Sequence, residues 1–252
     1  MGNQKKVTEN CIIRAVLAEE HGDIVTRKKG TDGEWVLFFY SEFFDKNGAS
    51  LSSLNFKITE EEYNKEEDNL IRAMMALKHG KIFTRKKDGE EWIPYLAGFY
   101  FNKKGLGCYF NGEWVGFDNL YFKIMGENYN EAKDTLIRAL VTVQYYEILT
   151  RKRGSHKKWI GLYGMLRYYS KKWGGFDNME FKSRYGKYNK KESSIIKTLL
   201  AARYEELATR KKGTYGEWTP FYSDMNFDEE MKRVRNLEFK IYDKERTRKE
   251  RN

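Results

Sequence analysis

Residues 188–218 read YNKKESSIIKTLLAARYEELATRKKGTYGEW, and the fold is decided in this stretch. Asn189 is a good helix N-cap, and Glu192 stands three residues on, where a capping box wants an acid. Ile195, Ile196, Leu199 and Leu200 then recur at i, i+1, i+4 and i+5, which puts them on one face of a helix. Leu207 precedes Thr209 by two, so both point to one face of a strand. Arg210-Lys211-Lys212 approaches a turn at Thr214-Tyr215-Gly216, and Trp218 opens the return strand. The order is helix, strand, turn, strand.

The same order is written three more times. Thr-Arg-basic-basic stands at Thr26–Lys29, Thr84–Lys87, Thr150–Arg153 and Thr209–Lys212, with steps of 58, 66 and 59 residues. A Trp follows each Thr at eight or nine residues: Trp35, Trp92, Trp159 and Trp218. Farther on lies a segment ending in Phe-Lys, at Phe56-Lys57, Phe122-Lys123, Phe181-Lys182 and Phe239-Lys240. Tyr-Asn pairs introduce three of the helices, at Tyr63-Asn64, Tyr129-Asn130 and Tyr188-Asn189. Their stripes are Leu70, Ile71, Met74, Met75 and Leu136, Ile137, Leu140, Val141, with Ile12, Ile13, Val16, Leu17 in the first helix. Glu67 repeats the capping-box position, and Gly22 and Gly80 mark helix ends. Such register is the signature of tandem duplication.

The expected fold class is α+β: four tandem repeats of about 60 residues, each a helix plus a three- to four-stranded antiparallel sheet. The units run 1–60, 61–126, 127–186 and 187–243, followed by a charged tail at 244–252. Units this small bury little surface alone. Pairing into two pseudo-dimeric halves, about 1–125 and 126–243, is the expected architecture, and a continuous array of four the alternative. An insertion from Lys103 to Trp114 reads as an extra hairpin in the second unit. Pro94 and Pro220, two residues after their Trp, suit an edge strand. The strand-strand-strand-helix order, read across unit boundaries, is similar in outline to that of PUR and whirly-type single-strand binders, whose repeats also pair. That likeness is one of topology, and no residue is carried over from it.

The 252 residues hold 47 basic and 37 acidic side chains, a net charge of +10. Thirteen of the basic ones fall between Thr150 and Lys191, opposed only by Asp177 and Glu180. Aromatic residues interleave them, among them Trp159, Tyr168, Tyr169 and Trp173. Cations neutralise phosphates and flat rings stack on bases, so a basic aromatic sheet face suits single-stranded nucleic acid. The expected contact residues are Arg151, Lys152, Arg153, Lys157, Lys158, Arg167, Lys171, Lys172 and Trp173 in the third unit. Arg27, Lys29, Arg85, Lys87, Arg210 and Lys212 support them from the others. Predicted strands rather than one recognition helix carry the charge, which favours single-stranded DNA or RNA over duplex. Glu34, Glu91 and Glu217 precede their Trp and are placed to damp the basic triplet, whereas the third unit has Lys158 there. Trp114 and Trp173 share a motif, Trp-x-Gly-Phe-Asp-Asn, whose turn residues suit partly exposed rings, with Trp173 the preferred stacking residue. The four strand Trps are expected to fill the helix–sheet core.

Other classes find less support. Two cysteines, Cys11 and Cys108, and three scattered histidines make neither a disulfide framework nor a zinc site. No phosphate-binding loop, nucleophile motif or standing carboxylate pair is visible, so no enzyme, cofactor or metal is expected. A lectin using loop aromatics has no need of the basic stretch. The alternative is a protein-interaction repeat module, an inhibitor or accessory factor whose basic face meets an acidic or nucleoprotein partner. No apolar run suits a membrane span and the N-terminus lacks a signal-peptide pattern. The expectation is a cytoplasmic protein, or a nuclear one in a eukaryote, that is not secreted and has no membrane partner.

Overall fold

A computed structural model describes residues 8–38, 50–95, 101–102, 105–162, 165–204, 206–221 and 236–242. The charged tail and residues 39–49 and 222–235 lie outside them. Four long helices stand where the apolar stripes predict: α1 (Glu9–His21), α2 (Lys65–Lys78), α3 (Glu131–Gln144) and, after a short α4 (Leu166–Trp173), α5 (Lys190–Arg203). Asn64, Asn130 and Asn189 are their N-caps. Asn64 Oδ1 accepts the Glu66 and Glu67 N–H groups, Asn130 that of Lys133, and Asn189 those of Lys191 and Glu192. Thr8 does the same for α1. Gly22 ends α1 at φ 73°, a left-handed position that suits glycine. Glu192 takes a role other than the expected capping box: it accepts the Ser183 N–H.

Each long helix leads into a three-stranded antiparallel sheet with its first strand in the centre. The sheets pair β1 (Ile24–Lys28) with β2 (Val36–Leu37) and β3 (Leu54–Ile58), and β4 (Ile82–Lys86) with β5 (Ile93–Pro94) and β9 (Leu120–Ile124). The third and fourth pair β10 (Ile148–Lys152) with β11 (Ile160–Gly161) and β12 (Met179–Ser183), and β13 (Leu207–Lys211) with β14 (Thr219–Pro220) and β15 (Leu237–Ile241). Register is the same in all four, with Thr26 opposite Phe56, Thr84 opposite Phe122, Thr150 opposite Phe181 and Thr209 opposite Phe239. These Thr and Phe residues point inward and are buried. A hydroxyl cannot be buried unpaired without cost. Each Thr therefore donates to a carbonyl of the third strand, at 2.8–3.1 Å. Pro94 and Pro220 sit on edge strands, where no ladder bond is lost.

The described part of the connection from the second strand to the third differs between the second and third sheets. In the second unit it holds β6 (Phe101–Asn102), β7 (Gly105–Phe110) and β8 (Glu113–Gly116), the expected hairpin, whose Leu106, Cys108 and Phe110 are buried. In the third it holds α4, where further strands were expected.

The first three sheets are each covered by the helix that follows: β3 by α2, β9 by α3, β12 by α5. The last strand of the fourth sheet, β15, packs against α1. The third strand has only one ladder neighbour, so its other edge carries N–H groups that need acceptors. The helix supplies one each time. Phe56, Phe122, Phe181 and Phe239 donate to Asp68 Oδ1, Asp134 Oδ1, Ser193 Oγ and Asn10 Oδ1, at 2.6–2.9 Å. Ile241 donates in addition to Glu9 Oε1, at 2.9 Å. Helix contacts run α1–α2, α2–α3, α3–α5 and α5–α1, around a core shared by all four sheets. They cross the boundary near residue 125 without a break. Among the described residues, no helix is long and apolar enough to cross a membrane.

Candidate nucleic-acid interface

With Thr26 inward, alternation turns Arg27 outward, and the ladder aligns Trp35 with it across the hairpin. The guanidinium lies 4.5 Å from the Trp35 ring centroid and Lys57 Nζ lies 4.7 Å from it. The other sheets repeat this layer. Arg85 and Lys123 flank Trp92 at 5.2 and 4.5 Å, Arg151 and Lys182 flank Trp159 at 4.4 and 5.5 Å, and Arg210 and Lys240 flank Trp218 at 4.6 and 4.7 Å. All four rings are half-buried on the solvent side. The expectation of Trp in the core is thus corrected. The inward place belongs to the residue three positions later: Phe38, Tyr95 and Phe221 meet Phe56, Phe122 and Phe239 edge-on at 5.3–5.4 Å, and Leu162 is buried in the third sheet. The signal was present in the sequence, since an inward Thr sets Arg and its Trp partner outward.

Tyr63, Tyr129 and Tyr188 lie beside these rings, their centroids 5.6–6.1 Å from Trp35, Trp92 and Trp159. Burial, and next the Asp68 charge, pushes the Tyr63 phenol up to about 12; burial and Asp134 do the same for Tyr129. Both stay neutral across the physiological range.

The four layers differ in charge at one position, the residue of the third strand opposite the Arg. It is Asn55, Tyr121, Glu180 and Glu238 in turn. Glu180 accepts from Arg151 Nε and Glu238 from Arg210 Nε, each at 2.8 Å. Arg27 Nε and Arg85 Nε are buried with no acceptor. The acids expected to damp the triplets are different ones: among the described residues, Glu34, Glu91 and Glu217 are exposed and form no ion pair with them.

In the third unit Lys152, Arg153, Lys157 and Lys158 are exposed on the hairpin, and Lys171 and Lys172 at the end of α4. The Arg153 N–H donates to Asn178 O at 2.8 Å, and Asn178 Nδ2 to Gly174 O, which joins the hairpin tip to the turn after α4. Strands carry one part of the expected set, while Arg167, Lys171, Lys172 and Trp173 are on a helix. Trp173 is half-buried, stacked on Tyr169 at 4.9 Å and packed against the core. Trp114 is likewise half-buried, against Tyr109 at 5.0 Å. The Phe-Asp-Asn part of their shared motif forms a short 3-10 turn with Phe117 and Phe176 buried.

The third basic residues of the other triplets have local partners. Lys29 Nζ donates to Ser52 O at 2.7 Å, Lys87 lies 5.5 Å from the Tyr121 ring, and Lys212 pairs with Glu61 at the start of the second unit at 2.9 Å. Glu61 also holds Arg14 at 2.6 Å, so this cluster ties the fourth unit to the first.

Cys11 and Cys108 are free thiols; burial, with Glu67 next, pushes Cys11 up to about 12. Among the described residues no His, Cys, Asp and Glu side chains cluster to hold a metal ion. Comparison with protein-family models, with curated proteins and with solved structures finds no match to this chain.

Proposed function

We propose that the chain is a non-enzymatic nucleic-acid-binding protein built of four tandem repeats closed in a ring, at 1–60, 61–126, 127–186 and 187–243. The closed array replaces the two-halves arrangement as the preferred reading, because the helix contacts run on from α5 to α1. It favours single-stranded DNA or RNA and needs no cofactor. The binding surface is centred on the third unit, and the Arg–Trp–Lys layers of the other sheets extend it. The observation that carries this reading is the outward position of these layers, beside six exposed cations at one end of the third sheet. Half-exposed rings among cations suit a flexible strand, whose unpaired bases stack and whose phosphates are neutralised. A rigid duplex offers no free base faces.

The test is a titration of labelled single-stranded DNA, single-stranded RNA and duplex, read by anisotropy, with the K157E/K158E/K171E/K172E variant beside the parent chain. The expected result is tighter binding of single strands, weakened at least tenfold in the variant. Equal affinity of parent and variant would remove the third unit from the site.

A second reading, a module that meets an acidic or nucleoprotein partner, draws support from Val36 and Leu37, which are 45% and 47% exposed on an edge strand. Displacement of the labelled strand by polyglutamate at equal charge concentration would favour it.

A further inference from the structure

We propose that the outward faces of the first two sheets are open phosphate sites, whereas the last two are closed by their own glutamates. This rests on the nucleic-acid reading above and narrows it to the faces that hold the strand's phosphates outside the basic hairpin.

The four faces share one frame and differ in one residue. Where Glu180 or Glu238 stands opposite the Arg, the carboxylate occupies the guanidinium edge at 2.8 Å. Asn55 and Tyr121 bring no charge to that position, and Arg27 Nε and Arg85 Nε are left buried without an acceptor. Each of these Arg side chains is half-buried, so an anion meets the part that faces solvent, where no carboxylate stands opposite. On each of these faces a second cation, Lys57 or Lys123, lies against the same Trp ring, and no ion pair of the described residues joins it. Two cations beside one ring with no acid between them repel each other, and a phosphate between them removes that repulsion.

The cations are also held in place. Lys57 Nζ donates to Glu61 O at 2.8 Å, and Arg85 Nη1 to Gly89 O. Little side-chain freedom is then lost when the anion arrives. A guanidinium fork matches phosphate oxygens in pairs, which a lone ammonium does not. Burial also lowers the Lys29 ammonium below its ordinary value, although the residue stays outside the Arg–Trp–Lys layer. The ligand is a phosphodiester of a single strand, the base lying toward the exposed part of the Trp.

The chain contains its own controls, because the residue that closes a face already stands at the equivalent place in two others. The experiment compares the full chain with N55E/Y121E and with E180Q/E238Q, using labelled oligo(dT) with inorganic phosphate as competitor. N55E/Y121E should bind about tenfold more weakly per closed face, with a salt slope shallower by about 0.7 per phosphate lost. E180Q/E238Q should bind more tightly, a gain that misfolding cannot imitate. Full displacement by millimolar inorganic phosphate would mean that the faces take the free anion rather than the strand, overturning the ligand assignment. If both variants bind like the parent chain while K157E/K158E/K171E/K172E does not, this inference fails and the broader reading stands. If the parent chain binds no strand at low salt, both fail.

Discussion

Asn10, Asp68, Asp134 and Ser193 do one task with three chemistries: each accepts the N–H of the Phe in a neighbouring strand. Ser193 acts alone, so Ser193→Ala should cost about 1–2 kcal/mol in denaturant unfolding, the price of one unpaired buried N–H. Asp68 also holds Arg72, which is 2% exposed and reaches Leu54 O and Glu127 besides. Asp68→Ala therefore strands part of a buried charge and should cost on the order of 3 kcal/mol. Glu192, beside Ser193, has an unpartnered Oε1, and burial raises its carboxyl above the usual range. Its folded pKa exceeds the unfolded one, so its charge costs stability at neutral pH, and that cost fades as pH falls through the folded value. Glu192→Gln should raise the melting temperature at pH 7–8 and reduce the gain on mild acidification, as differential scanning calorimetry would show. The recurring Thr was legible as sharing a strand face with the apolar residue two positions before it. The outward Trp was missed because burial statistics for aromatics outweighed the alternation that Thr imposes.

Elements were legible in proportion to the strength of their local signals. The four long helices follow from apolar stripes and Asn caps. The extra hairpin follows from Asn111-Gly112, whose φ values of 49° and 83° are those of a tight two-residue turn. Helix α4 was hidden: Tyr168 and Tyr169 favour strands, and its N-cap residue Met165 makes no side-chain bond to announce it. The service of α1 to β15, 229 positions away at the Phe239–Asn10 bond, has no local signal at all. Removing residues 1–22 should leave the fourth sheet uncovered, with the Phe239 and Ile241 N–H groups unpaired. The expected outcome is loss of cooperative unfolding and binding of a hydrophobic dye, reversed by a peptide of residues 1–24. Cooperative unfolding of the truncated chain would show that α1 does not close the array.

On the scale of the whole molecule, four sheets turn one face to a common core and the other outward with Arg, Trp and Lys. The excess positive charge is crowded into the third unit in the sequence, and six of its cations are exposed at one end of the third sheet. Linear order could show that crowding; it could not show that Glu180 returns to neutralise Arg151 across a strand pair. The account stands on whether these faces bind a polyanionic single strand. The most direct measurement is the affinity of the full chain for labelled oligo(dT) at several salt concentrations, with duplex and polyglutamate as competitors. The account predicts that log K falls linearly with log salt, by about 0.7 for each phosphate neutralised, and that neither competitor matches the single strand. Absence of binding at low salt, or displacement by polyglutamate as readily as by oligo(dT), would contradict it.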